Sequence, residues 1–330
     1  AGLEAAQKLT GLLTDLSQDD LVVALITGGG SALLPAPPQG LSLDHEIALN
    51  KALLASGAPI GVMNAIRKHA SDIKGGRLAA LAHPAKVVSL IVSDIPGDIA
   101  SQVASGPTVP DTVTAEQALD YIKLYDMDLP AEVLAHIGSE ASAAPKPEDA
   151  VFDGNKVQIC ASAQVSLQAA KAKAESLGWR TYILSDAIEG EAREVGKVLA
   201  AMAKSAQQGG SAFQVPCILL SGGEVSVTLS GAGKGGPNGE LALAMALALD
   251  GTSGIQALIA DTDGIDGSEN NAGAVIDGSS AAQIKASGLS GAGYLKANDS
   301  WSAFKAIDAL FEPGPTGTNV NDFRAIIIEA

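Results

Sequence analysis

Apolar residues along this chain come in short runs, each closed by a glycine- or aspartate-bearing turn. LVVALIT (21–27) stops at GGGSA, AKVVSLIVSD (85–94) at IPGD and VQICAS (157–162) at an alanine-rich segment. RTYILSD (180–186) leads into AIEGEA, PCILLSGGE (216–224) into VSVTLSG, and IQALIADTDG (255–264) into IDG. Such runs predict buried strands, and VSVTLSG reads as a continuing or hairpin strand. Between them, EIALNKALLASG, AEQALDYIKLYD, LQAAKAKAESLG, AREVGKVLAAMAKSA and GELALAMALALDG repeat with helical periodicity. Apolar strands alternating with helices predict an α/β fold of mostly parallel sheets with helices on both faces. The small, charged, proline-containing stretch Ala141 to Ala150 reads as a linker, dividing the chain into α/β domains at 1–150 and 151–330.

Composition narrows this picture. The chain of 330 residues is 47% hydrophobic but 3% aromatic, so its core is built from Ala, Leu, Ile and Val. A net charge of −16 excludes nucleic acid and anionic membrane as partners, because both need a basic face. It does not exclude a small anion, since one guanidinium about 4 Å from a carboxylate gains roughly 4 kcal/mol at an effective dielectric near 20. No apolar run reaches the roughly 20 residues of a membrane helix. No signal peptide is visible, and Cys160 and Cys217 are too few for a disulfide framework. The expectation is a cytoplasmic protein.

In parallel sheets ligands bind beyond the carboxyl ends of strands, so the turn residues carry the candidate chemistry. Gly28-Gly29-Gly30-Ser31 offers backbone amides and a hydroxyl to an anion, against the plainer reading of a tight turn. Met63 to Ala79 concentrates Arg67, Lys68, His69, Lys74 and Arg77. Arg67 and Lys74, seven apart, would share a helix face suited to a carboxylate or phosphate; the plainer reading is a solvated face. Asp94 with Asp98, and Asp261 with Asp263 and Asp266, are strand-end carboxylates of the kind that hold Mg²⁺ together with substrate phosphates, and are also ordinary turn formers. Together these features point to phosphoryl transfer.

Gly231, Gly233 and Gly236 spell G-x-G-x-x-G, but no acidic residue ends a second strand about 20 residues on, as a dinucleotide fold requires. Lys234 is followed by Gly235, so the loop is not a Walker A motif, although Lys234 and Asn238 remain able to face a nucleotide. Gly314 to Arg324 forms a polar loop before the final strand AIIIEA, and Asn298-Asp299-Ser300 reads as a helix cap. Structural roles are expected for His45, His69, His83 and His136.

Taken in order, LITGGGSALLPAP, MNAIRKHASDIKGGRLA, VSDIPGD, ASGPTVPD, LLSGGEVSVTL, GGPNGELALA, DTDGIDG and GPTGTNVNDFR resemble the glycerate 2-kinase family. This is the type whose carboxyl-terminal part is called MOFRL and whose members often bear a provisional hydroxypyruvate reductase label. The resemblance covers essentially the whole chain. It implies ATP- and Mg²⁺-dependent phosphorylation of D-glycerate at its 2-hydroxyl, with two α/β domains and an active site in the cleft between them. Carried onto this sequence, Arg67 and Lys74 are the catalytic candidates. Gly28, Gly29, Gly30, Ser31, Lys68, Thr316, Thr318 and Asn319 are phosphate- or substrate-side candidates. Ser221, Gly222, Gly223, Glu224, Lys234 and Asn238 line the nucleotide side, and Asp94 and Asp263 hold the metal. The partners are then D-glycerate and ATP, and a homodimer is compatible.

The chain departs from the family pattern in two places. Members usually carry a further amino-terminal segment with a lysine-bearing glycine loop, which implies that this chain lacks its first part. Where many read G-G-R-N-Q-E, this chain reads Gly235-Gly236-Pro237-Asn238-Gly239-Glu240, so that Arg67, Lys74 or Lys234 would supply the missing charge. The alternatives are a nicotinamide-dependent hydroxypyruvate reductase and a catalytically silent glycerate- or nucleotide-binding protein.

Overall fold

A computed structural model describes residues 1–330. The chain divides into two compact units, Ala1–Cys160 and Ala161–Ala330. The stretch Ala141–Ala150 belongs to the first unit, and the division falls after the next strand, because that strand joins the first unit's sheet.

In the first unit, β1 (Leu21–Ile26), β2 (Lys86–Val92) and β3 (Lys156–Ala161) form a sheet in that order, with β1 and β2 parallel and Ile26 opposite Ile91. The register places the turns after β1 and β2 side by side. The helices are α1 (Gly2–Gly11), α2 (Gly30–Leu33), α3 (Leu43–Ala55), α4 (Ile60–Lys68), α5 (Arg77–Ala82), α6 (Ala115–Leu124) and α7 (Ala131–Ile137). Ser42 caps α3 in a reciprocal box with His45, and Thr114 caps α6 with Gln117, so orphan amides at both helix starts are satisfied. Leu49, Leu53, Ile66, Ile122, Val133 and Ile137 form a buried core among α3, α4, α6 and α7. On the sheet, Val22, Ala24 and Val87 pack with Ala79 and Ala82 of α5. The alternate residues Leu21, Val23 and Leu25 are exposed, so β1 is covered on one face and not on both as the apolar run suggests.

The second unit holds a six-stranded sheet: β4 (Arg180–Ser185), β6 (Cys217–Gly223), β8 (Ile255–Asp261), β9 (Gly273–Asp277), β10 (Leu310–Phe311) and β11 (Asp322–Ile328), with β5 (Gly190–Glu191) and β7 (Val225–Ser226) forming a separate pair. Its order is β10-β9-β8-β11-β6-β4. Only β4 and β6 pair in parallel; β11 runs antiparallel between β6 and β8, and β8 turns back directly onto β9. The sheet is therefore mixed, since no crossover helix separates β8 from β9. Residues 225–226 pair with 190–191 and form no hairpin with β6. The strands still read as continuous apolar runs because helices cover both faces: α8 (Ala163–Ser176) on one, α9 (Ala192–Gln207) and α10 (Pro237–Ala248) on the other.

Small residues let α9 and α10 approach closely: a Cβ on Gly196 would lie 2.5 Å from the Leu241 carbonyl oxygen. Gly196→Ala should therefore destabilise the protein by about 1–3 kcal/mol through overpacking, overriding the roughly 0.5–1 kcal/mol that alanine gains over glycine in a helix. Gly11→Ala, with nothing within 4 Å of the new Cβ, should be neutral or stabilising. Urea unfolding of the two variants checks the opposite signs.

Candidate active site

The triple glycine ends β1 and opens the four-residue α2, with Gly29 at φ 76 as its left-handed cap. A Cβ on Gly28 would stand 1.8 Å from Asp94 Oδ2. The glycine is required because the carboxylate after β2 lies directly against the turn after β1, as the parallel register dictates. Ser31, half-buried, hydrogen-bonds the hydroxyl of Ser105 at 2.9 Å.

Arg67 ends α4, but Lys74 does not continue it. The chain leaves the helix at His69 and turns through Gly75 and Gly76, both at positive φ, before α5 begins. Arg67 and Lys74 therefore share no helix face. Lys74 pairs with Glu46 of α3, and the Glu46 charge offsets the burial that pushes the pKa values of both Lys74 and Arg67 down. Lys74 Nζ lies 3.3 Å from Glu46 Oε1 with its side chain 3% exposed, and Glu46 Oε2 is buried without a partner. Arg67 donates from Nε to Asn50 Oδ1 at 2.8 Å and from Nη1 to Asn64 Oδ1 at 3.1 Å. Lys68 is also buried in an ion pair, with Asp111. Arg77 likewise donates to the carbonyls of Lys68, Lys74 and Ser142. His69 is buried with its ring nitrogens against the carbonyls of Ser142 and Val113, a structural position, and His45 is a cap.

In the second unit, Ser221, Gly222 and Gly223 belong to β6 and are buried, while Glu224 is exposed. Across β6, β11 and β8, Arg324 pairs in register with Ser221, and two residues along β11 Asp322 pairs with Gly223 on one side and Asp261 on the other. Arg324 is 0% exposed, paired with Asp322 and donating to the Gly222 carbonyl at 2.9 Å. Asn238, in the first turn of α10, donates from Nδ2 to Asp322 Oδ1 at 2.6 Å, and its Oδ1 is buried without a partner. Asp266 accepts the amides of Asn238 and Gly239 at 2.9 and 2.7 Å, supplying the cap that Gly236 lacks.

Asp263 accepts the Ile265 amide at 2.7 Å and the Asn319 side chain at 3.3 Å. Thr316 donates to the Thr262 carbonyl at 2.6 Å and accepts the Thr318 amide at 3.4 Å. The turn after β8 and the loop before β11 thus form one polar surface, as the sequence suggests. Lys234 is half-exposed, 3.3 Å from Glu269 and 4.9 Å above the Trp301 ring. The glycines of the G-x-G-x-x-G spelling serve packing: a Cβ on Gly231 or Gly233 would strike the Ala297 carbonyl oxygen at 2.1 or 2.6 Å. Asp299 caps the helix Ser300–Lys305, as its position predicts. The sequence does not reveal that Asn298 also accepts the amides of Ser230 and Gly231 and donates to the buried Glu240 at 2.8 Å. Its φ of 54 is the signal available after the fact, since asparagine tolerates the left-handed region.

Burial raises the carboxyl of Asp261 to about 7, with Asp263 and Asp322 adding repulsion, and that of Asp266 to about 6. In the unfolded chain the same groups ionise near 3.8. The folded protein holds more protons in this window, so these groups make stability fall as pH rises from about 4 to about 7 and level off above it. Asp261→Asn should shrink the difference between urea midpoints at about pH 5 and about pH 8; an unchanged difference would remove Asp261 from that role.

Comparison with known proteins gives two family matches, a domain of unknown function (DUF4147) over residues 1–138 and the MOFRL family over residues 217–322. A protein of Agrobacterium vitis with a provisional hydroxypyruvate reductase label is 49% identical over 99% of this chain and 84% of its own length. The D-glycerate 2-kinase of Thermotoga maritima is 39% identical over 97% of this chain and 75% of its own length. Among solved structures, a glycerate kinase from Thermotoga maritima superimposes with a TM-score of 0.90 at 38% identity, covering 99% of this chain and 77% of the other. The PH0495 protein of Pyrococcus horikoshii does so with 0.84 at 34% identity, covering 100% and 76%. With both matched regions in order and this likeness along its length, the chain belongs to the glycerate 2-kinase family.

Proposed function

We propose that the protein transfers the γ-phosphoryl group of ATP to the 2-hydroxyl of D-glycerate, giving 2-phosphoglycerate and ADP, in the cytoplasm and as a homodimer. The observation that carries this reading is the placement of Arg67 and Lys74 within reach of the one Glu46 charge, beside an all-glycine strand turn that shares its space with Asp94. Phosphoryl transfer asks little covalent chemistry of a protein; it asks for positioning and for positive charge where negative charge accumulates. Arg67 offers a planar fork to the substrate carboxylate, and Lys74 a point charge of reduced pKa beside it. Gly28 to Gly30 offer backbone amides to phosphate oxygens.

Asp94 and the glycine turn suit a hydrated Mg²⁺, which typically takes one or two carboxylates and completes its shell with phosphate oxygens and water. When bound with the nucleotide, the ion supplies charge neutralisation on the phosphates. Asp263, in the second unit, is the other metal candidate of the proposal, although its oxygens already accept the Ile265 amide and the Asn319 side chain. Ser221, Gly222, Gly223, Glu224, Lys234 and Asn238 are the proposed nucleotide side, and Thr316, Thr318 and Asn319 the surrounding loop. Of these, Ser221 and Asn238 have the most direct structural support, a hydroxyl and a carboxamide oxygen that are both buried and unpartnered. Packing of Gly231 and Gly233 against Ala297 leaves that loop no open cradle for a dinucleotide, which weighs against the reductase alternative.

The test is ADP release with D-glycerate, ATP and Mg²⁺, with phosphorus NMR locating the new ester at the 2-position. NADH should not be oxidised with hydroxypyruvate. Arg67→Ala should lower kcat/KM for D-glycerate by about 10²-fold or more while leaving the thermal midpoint near that of the parent. Unchanged kinetics would remove Arg67 from the site.

A further inference from the structure

The motif ASGPTVPD, Ala104 to Asp111, has no part in the reaction as proposed, yet it meets the substrate-side residues of the first unit at every turn. Ala104, Ser105 and Gly106 take φ values of 49, 62 and 60, three left-handed residues in succession, of which only the last is glycine. Left-handed backbone disfavours residues with a Cβ, so surrounding contacts must impose it. Those contacts are present: the Ser105 carbonyl accepts the Gly75 amide at 3.0 Å, and the Gly106 carbonyl accepts the Gly76 amide at 2.8 Å. Ala104 stands where a Cβ on Gly30 would approach its own at 3.1 Å. Ser105 is 1% exposed.

The hydrogen bonds of Ser105 have a fixed direction. Arg67 can only donate, so the Asn64 atom facing its Nη1 at 3.1 Å is the carboxamide oxygen. Ser105 Oγ lies 3.3 Å from that same oxygen and must donate its proton to it. Having spent its single proton there, Ser105 accepts from Ser31 at 2.9 Å. Ser31 then keeps only lone pairs for a ligand.

We infer that Ser105 is a positioning residue that turns Ser31 into a hydrogen-bond acceptor for a substrate hydroxyl and holds Asn64 against Arg67. This rests on the kinase reading for the identity of the substrate and assigns Ser31 a different part from a phosphate donor. A phosphate oxygen needs a donor, whereas the non-reacting hydroxyl of a dihydroxy acid supplies one. The same chain links that acceptor to the guanidinium that receives the carboxylate, so the two ends of a short hydroxy acid are gripped from one network.

Ser105→Gly removes the hydroxyl and relieves the left-handed strain, so it separates function from folding. The variant should keep or raise the thermal midpoint, raise KM for D-glycerate about tenfold and leave KM for ATP unchanged, a loss of the size a neutral hydrogen bond contributes. D-Lactate, which lacks the second hydroxyl, should compete against D-glycerate about tenfold more weakly than D-glycerate itself binds in the parent protein, and Ser31→Ala should close that gap. Parental kinetics in Ser105→Gly, or a rise in both KM values with a fall in the midpoint, would overturn the inference. A parent protein that does not phosphorylate D-glycerate would overturn the kinase reading instead. Ser105 is then judged on the Arg67 Nη1–H resonance, the proton given to Asn64, which needs no turnover: it shifts and exchanges faster in Ser105→Gly if the link exists, and stays in place if it does not.

Discussion

A charged side chain can be buried here only where another group receives its charge. Lys68, Lys74 and Arg324 are each 3% exposed or less, and each lies on a carboxylate: Asp111, Glu46 and Asp322. Removing one member of such a pair costs about 3–5 kcal/mol, because the other charge is left stranded. That penalty is comparable with much of a domain's net stability, so the pairs fix how neighbouring segments can sit. Lys68 with Asp111 ties the end of α4 to the ASGPTVPD segment, and Lys74 with Glu46 ties the loop before α5 to α3. Arg67, lying between them, is only half-buried and bonded to neutral carboxamides. Like Arg77 it has no carboxylate hydrogen-bonded to it, but unlike Arg77 its partners are side-chain carboxamides and not backbone carbonyls.

The positive-φ turns supply the complementary constraint. Lys74 reaches Glu46 because Gly75 and Gly76 reverse the chain there, and a Cβ on Gly76 would strike the Phe152 ring at 2.8 Å. Gly28 serves the other side of the same region, where any side chain would displace Asp94. Charge pairing says which groups meet; glycine makes the meeting sterically possible.

Much of this was legible in the sequence, and the failures have physical causes. Strand runs, the helix from Gly239 and the chemical turns after β1, β2 and β8 follow from apolar patterning bounded by glycine and aspartate. The antiparallel entry of β11 was hidden because strands covered on both faces look alike whichever way they run. The helix read across Met63–Ala79 failed because α4 already ends at Lys68, and the left-handed Gly75 and Gly76 then redirect the chain into a second helix, so the charge spacing crosses a break. Lys68 and Arg67 are neighbours in a basic run, and composition cannot separate the one paired with Asp111 from the one bonded to neutral carboxamides. Asp111, Asn50 and Asn64 lie far from any apparent motif chemistry, and only tertiary contact reveals their part.

Pro237 shows how a departure in pattern can be structurally sound. It stands at the first helical position of α10, where a missing N–H costs nothing and a fixed φ favours the start. The next two amides go to Asp266, so the turn is complete without any side chain at residue 237. What proline removes is charge, and the nearby cations do not replace it freely. Arg324 is committed to Asp322, Arg193 bonds Glu240 at 2.5 Å, and Lys234 is drawn to Glu269 and Trp301. Lys234 is the most readily released of these, because its own side chain is half-exposed and ion pairs in contact with solvent contribute little, about 1 kcal/mol when fully exposed. An anion competing for that ammonium has this pair and the Trp301 contact to displace, whereas drawing Arg324 away would strand Asp322 in the core. The cost of desolvation thus singles out Lys234 as the cation this unit can release most readily.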